Sequence, residues 1–231
     1  MQSRDFHSAA KTATGTPVGI LGGTFDPIHF GHLRLAEEML ELANLAQIRF
    51  IPAGTPPHRE PPQVSAQHRS AMVRLAIADQ PAFAMDEREA MRTTPCYTVD
   101  TLRELRAELG RAQPLCLLMG GDAFLQLHTW HEWEQLFDLA HIVVGYRPGF
   151  TLRERIDTAA PALRDHYRRR LCPADSLSRQ PAGLVSELAI PQLEISATLI
   201  RSRVAENRSI RYLLPNTVAD YIHQHHLYKP C

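Results

Sequence analysis

The 231-residue sequence predicts an α/β protein: a doubly wound, mostly parallel sheet with helices on both faces and a small helical part toward the C-terminal end. Three observations predict it. Short apolar runs, often β-branched, alternate with longer runs whose apolar residues recur at helical spacing, the mark of right-handed βαβ units. The chain, with 44% hydrophobic residues, is long enough to bury a sizeable core. A glycine-rich turn also joins the first apolar run to the first amphipathic one, on the rim where open α/β sheets collect ligands.

Residues 1–17 lack an apolar stretch and include Asp5, so they read as a mobile polar extension and not as a signal or transit peptide. Residues 18–231 are expected to form one domain. The expected strands are 18–23, 48–54, 83–89, 114–121, 141–147 and 184–191. Between the first two, 33–45 sets Leu35, Met39, Leu42 and Leu45 on one helical face. The runs 65–79, 100–109 and 133–140 behave alike. Residues 151–171 read as helical and basic, with RDHYRRR as a solvated face. The Pro-rich 56–62 and the stretch 172–183 are loops, the first suited to act as a lid. His223, His225 and His226 belong to a solvated helix end, not to a metal site.

Lys and Arg balance Asp and Glu at 25 each, so the chain has no general field for nucleic acid or anionic membrane. Any bound anion must be captured by a local site. No run approaches the ~18 apolar residues of a membrane span. Cys96, Cys116, Cys172 and Cys231 form no CxxC pair, which argues against a zinc knuckle or a disulfide scaffold and leads to the expectation of a cytoplasmic protein.

The turn GGTFDPIHFGH, residues 22–32, holds the most chemistry. Gly22 and Gly23 carry no Cβ, so backbone N–H groups can approach a ligand oxygen closely. Gly31 sits at a helix start, where free amides and the dipole favour an anion. His29 and His32, three apart, fall on one face. Together these describe a phosphate cradle. It is not a P-loop, because no GK[ST] follows, and it is not the GxGxxG fingerprint.

GTFDPIHFGH is similar to the HxGH signature of the nucleotidyltransferase superfamily, and ISATLIRSR, 195–203, resembles its second signature. Ser196 and Thr198 there offer hydroxyls, and Arg201 is a permanent cation suited to phosphate. On its own, that segment reads better as an N-capped helix with a surface arginine. Within the superfamily, IPAGTPPHR, DERE, YTVDTL, GGDAF, TWHEW and YRPGF resemble, in order, segments of the bacterial nicotinate mononucleotide (NaMN) adenylyltransferases. The likeness ends in LLPNTVADYIHQHHLY and leaves out the N-terminal extension and 151–183.

The resemblance implies a Rossmann-like nucleotidyltransferase fold. It implies transfer of AMP from ATP to NaMN, giving deamido-NAD and pyrophosphate by direct in-line attack without a covalent intermediate. Its catalytic residues would be His32, His29 and Arg201. ATP would be met by Gly22, Gly23, Thr24, Phe25, His29, His32, His58, Gly121, Asp122, Ile195, Ser196, Thr198 and Arg201. In this scheme His58 reaches the phosphates and Gly121 with Asp122 the adenosine ribose; a solvated loop histidine is the alternative for His58. NaMN would be met by Tyr97, Thr98, Trp130 and His131, with Trp130 stacked on the ring and the start of the helix at Thr98 receiving the carboxylate. Trp133 is expected in the core. Mg²⁺ is expected with ATP, coordinated mainly by phosphate oxygens and water. The implied partners are small molecules, with neither nucleic acid nor membrane among them.

The alternatives are a pantetheine-phosphate adenylyltransferase, usually shorter and with threonine at the place of His29, and a non-catalytic nucleotide-binding regulator. The RTEGIST-like segment of cytidylyltransferases and the KMSKS-like segment of class I aminoacyl-tRNA synthetases do not occur in the sequence.

Overall fold

The computed structural model describes residues 15–54, 61–147, 149, 152–191 and 193–229. Its sheet holds β1 (Val18–Gly23), β2 (Gln47–Pro52), β3 (Phe83–Met85), β4 (Leu115–Gly120), β5 (His141–Tyr146) and β6 (Val185–Ala189), in the spatial order β3-β2-β1-β4-β5-β6. Every pairing is parallel. The connections run through α1 (Phe30–Leu42), α2 (Ala66–Ile77), α3 (Thr98–Leu109), α4 (Gly121–Leu125), α5 (Leu136–Leu139), α6 (Leu152–Ile156) and α7 (Pro161–Arg170). After β6 come α8 (Ala197–Ala205) and α9 (Asn216–Gln224). Among the described residues no helix is long and apolar enough to cross a membrane.

Strand alternation divides the core into two layers. Along β4, Leu115, Leu117 and Met119 pack with α3, α4, α5 and α7, while Cys116 and Leu118 face the layer of α1, α2, α8 and α9. The chain winds outward from β1 through β2 to β3, then returns to β4 and winds the other way. That switch opens a crevice at the carboxyl ends of β1 and β4, where ligands bind in sheets of this kind.

Several boundaries differ from the sequence expectation. The third strand stops at Met85 because Asp86 and Arg88 turn into an ion-pair network with Arg49 and Glu108. The first helix begins at Phe30, with His29 as its N-cap, and its buried stripe is Ala36, Met39 and the following Ala43; Leu42 is 47% exposed. The 151–171 segment breaks before Pro161, which starts α7. The expected loop at 172–183 contains a short 3₁₀ turn, Ala174–Arg179.

The opposite end of the sheet is fastened by two side chains. Arg106 donates to the carbonyls of Leu139 (2.7 Å), Pro181 (2.6 Å) and Gln113. Buried His141 donates its Nε2–H to the Gln180 carbonyl at 2.9 Å and accepts the Leu184 N–H on Nδ1 at 3.1 Å.

Candidate active site

The turn between β1 and α1 is built from the inside outward. Gly23 leaves room for the Phe25 ring, which would lie 2.9 Å from a Cβ there. Phe25, at φ +50, is buried and meets the His32 ring edge-on at 5.1 Å. Gly31 likewise admits the His29 ring and brings the Ile195 carbonyl close. These two glycines therefore serve packing first. Gly22 is different: a Cβ there would meet nothing within 4 Å, so the backbone stands open to the cleft.

The His29 N–H donates to His32 Nδ1 at 3.3 Å. An Nδ1 that accepts leaves the ring hydrogen on Nε2, so His32 is set as a donor. The His29 ring stacks on it with centroids 3.8 Å apart. Desolvation lowers the His29 pKa to about 4, and desolvation with the neighbouring imidazole holds His32 well below the usual histidine range. Both rings are neutral at pH 7.

His32 lines a cleft of about 540 Å³ that begins at Gly22, Gly23 and Thr24 and runs past Gly120 to Trp130 and His131. Its far wall is the start of α3. Thr98 is the first residue of that helix and Tyr97 its N-cap, so free backbone amides border the cleft. The Tyr97 and His131 rings pack at 4.4 Å. Trp130 lines the cleft with its flank against the core, and Trp133 is half-buried against the same core layer. Glu89 also lines it; its carboxylate accepts from Thr101 Oγ1 at 2.6 Å and burial raises its pKa.

The second signature arrives beside the first. Ser196 caps α8, accepting the Leu199 N–H at 3.1 Å. Arg201 donates to the Asp26 carbonyl at 2.7 Å and to Thr198 Oγ1 at 3.3 Å. Arg201 is thus brought to the first turn, but neither it nor Ile195, Ser196 and Thr198 lines the cleft, and Phe25 and His29 lie behind its lining. Gly121 and Asp122 do not line the cleft either. Asp122, its side chain 87% exposed, pairs with Arg155 of α6 at 2.8 Å, because α6 packs beside α4 and offers a nearer cation than the cleft does. His58 lies outside the described residues.

Three residues that support this site escaped the sequence reading. Asp26 is buried, and its carboxylate accepts from the Gln63 N–H and from Tyr228 Oη, both at 2.8 Å. Arg69, 1% exposed, donates to the carbonyls of Thr24 (2.7 Å) and Gly54 (3.2 Å), tying the first turn to the end of β2. The signal for Arg69 was present: it shares the buried stripe of α2 with Met72, Val73 and Ile77, where a charge needs partners. For Asp26 and Tyr228, far apart in sequence, no local signal exists.

The model of the cytidylyltransferase-like family matches residues 20–203. A protein of Dechloromonas aromatica named "Probable nicotinate-nucleotide adenylyltransferase" is 50% identical over 214 residues, 92% of this chain and 98% of that protein. One of the same name from Halorhodospira halophila is 50% identical over 204 residues, 87% of this chain and 90% of its own. Among solved structures, the Plasmodium falciparum nicotinic acid mononucleotide adenylyltransferase complexed with NaAD superposes with a TM-score of 0.68 at 18% identity, covering 93% of this chain and 98% of that one. That likeness establishes the fold.

Proposed function

Since the chain belongs to the cytidylyltransferase-like family and, within it, to the nicotinate-nucleotide adenylyltransferases, we infer that its cleft joins nicotinate mononucleotide to the adenylyl group of ATP. It is a nucleotidyltransferase of NAD biosynthesis, and its products are deamido-NAD and pyrophosphate. The observation that carries the assignment of roles is the His29–His32 pair, which sets a fixed Nε2–H donor at the glycine-lined end of the cleft.

The nucleophile is the 5′-phosphate of NaMN, largely dianionic at pH 7 with a second pKa near ~6. One of its oxygens bonds to the α-phosphorus of ATP as the bond to the bridging α–β oxygen breaks and pyrophosphate departs. No proton has to be removed and no protein nucleophile is needed. The chain's contribution is alignment and charge stabilisation. His32 donates to the oxygens of the reacting phosphorus, with His29 backing its ring. The amides at Gly22, Gly23 and Gly31 receive phosphate oxygens, the neighbouring Phe30, His32 and Leu33 amides being bonded within the protein, and Arg201 holds the leaving β and γ phosphates. His58 is assigned to the same phosphates by its match to the family's loop histidine.

At the other end Trp130 stacks on the pyridine ring, flanked by Tyr97 and His131. The amides at Thr98 receive the nicotinate carboxylate. Those donors favour the acid over the amide, whose NH₂ cannot accept from them. Among the described residues no three His, Cys, Asp or Glu side chains converge as a metal cage. Mg²⁺ entering with ATP would be held mainly by phosphate oxygens and water, and would supply charge neutralisation for the leaving pyrophosphate. We place the enzyme in the cytoplasm, acting on small-molecule substrates.

The test is incubation of the purified protein with ATP, Mg²⁺ and either nicotinate or nicotinamide mononucleotide, with release of pyrophosphate and dinucleotide measured. Faster turnover of the nicotinate form is expected. No dinucleotide from either would refute the reading.

A further inference from the structure

We propose that Tyr228 is a positioning residue for adenylyl transfer, acting through Asp26 on the turn that carries His29 and His32; the proposal rests on the reaction assigned above. Asp26 is where the parts of the phosphate site meet. Its carbonyl carries Arg201 at 2.7 Å. One carboxylate oxygen accepts the Gln63 N–H and the other the Tyr228 hydroxyl, each at 2.8 Å. The carboxylate is buried, so each of its bonds replaces water that cannot reach it.

Tyr228 is itself buried, at φ +62, and its hydroxyl is aimed at Asp26 from 202 residues away in sequence. Burial and the facing carboxylate push the phenol above the usual tyrosine range, so it keeps its proton and remains a donor at every working pH. Arg69, held on the Thr24 and Gly54 carbonyls, lies near enough to feel both Asp26 and Tyr228. Without the hydroxyl, the carboxylate must seek another donor. The nearest candidates are Arg201 and Arg69, and either movement displaces a group that shapes the phosphate site. A shift of about an ångström there is enough to cost rate. Ring packing of Tyr228 against the core is a separate contribution, and phenylalanine preserves it.

The experiment uses the full chain in four forms: wild type, Tyr228→Phe, Asp26→Asn and the double variant. kcat, both KM values and the melting temperature are measured, with kinetics well below each transition. Tyr228→Phe is expected to lower kcat on the order of tenfold, equivalent to ~1.4 kcal/mol of barrier, and to raise the KM for ATP. The KM for NaMN should stay unchanged, a split that general loss of structure would not produce. The double variant should be no slower than Asp26→Asn, because the tyrosine acts only through the Asp26 carboxylate. Wild-type kinetics in Tyr228→Phe, an equal rise in both KM values, or additive losses would overturn the proposal. So would failure of Tyr228→Phe to fold, which would make the hydroxyl's role one in folding. A wild-type protein that makes no dinucleotide removes the reaction, and this role with it.

Discussion

His29 and His32 lie face to face, ring centroids 3.8 Å apart and planes 25° from parallel, while the main chain of one hydrogen-bonds the ring of the other. Two stacked imidazoles at this distance cannot both be charged without cost. The pair is therefore neutral, and the turn fixes the orientation of the His32 ring at the edge of the cleft.

In the proposed reaction, His32→Ala removes the donor assigned to the oxygens around the reacting phosphorus. We expect kcat to fall by the equivalent of ~2–4 kcal/mol, as in oxyanion-hole deletions, with ATP affinity changed far less. Steady-state kinetics beside calorimetric ATP binding checks this, and a near-normal kcat would remove His32 from its role.

Acid should destabilise the fold through these same rings. The folded pKa of His29 is about 4 against 6.5 in the unfolded chain, and His32 and His141 shift in the same direction. The unfolded state therefore binds more protons below pH 6.5 or so. Stability should be level above that pH and fall as pH drops toward 4, each histidine adding up to ~1.4 kcal/mol per pH unit to the slope. Thermal melts from pH 4.5 to 8 read it directly, and His29→Gln should flatten the curve.

Arg69→Ala leaves the Thr24 and Gly54 carbonyls without their buried donor. A stability loss of about 3 kcal/mol is expected from the unsatisfied carbonyls and the lost packing. Arg69→Lys should recover only part of it, since one ammonium cannot span both carbonyls. Denaturant titration of the two variants decides the matter; lysine restoring full stability would show that the bidentate bridge is dispensable.

Trp130 has one face in the cleft and one flank on the core. If the exposed face stacks on the pyridine ring, Trp130→Ala raises the KM for NaMN by the equivalent of ~1–3 kcal/mol and leaves that for ATP alone. The melting temperature should drop modestly, because no sealed cavity forms. A large drop with an unchanged KM for NaMN would assign Trp130 to packing.

Much of this architecture was legible before any coordinates. Alternation of short apolar runs with amphipathic ones gave six strands in their right places, because parallel strands buried on both faces read as continuous apolar stretches. The glycine–histidine turn announced the ligand rim, and Thr98 and Trp130 do line the cleft with it. What stayed hidden depends on tertiary neighbours. DERE looked like a strand continuation until Arg49 and Glu108 captured its charges. Asp122 looked like a cleft carboxylate, and only the placement of α6 reveals its pairing with Arg155. Periodicity reports local faces; it carries nothing about a tyrosine bonding an aspartate 202 residues earlier.

That long-range bond also bears on how the molecule comes into being. Translation delivers Asp26 well before Tyr228, and β4 follows β1 only after β2 and β3 have been made. The turn after β1 can be drafted early, but its buried carboxylate lacks the Tyr228 hydroxyl until that residue has left the ribosome. Closing such distant pairings is slow compared with forming helices. A half-synthesised chain thus carries the glycine turn without its finished support.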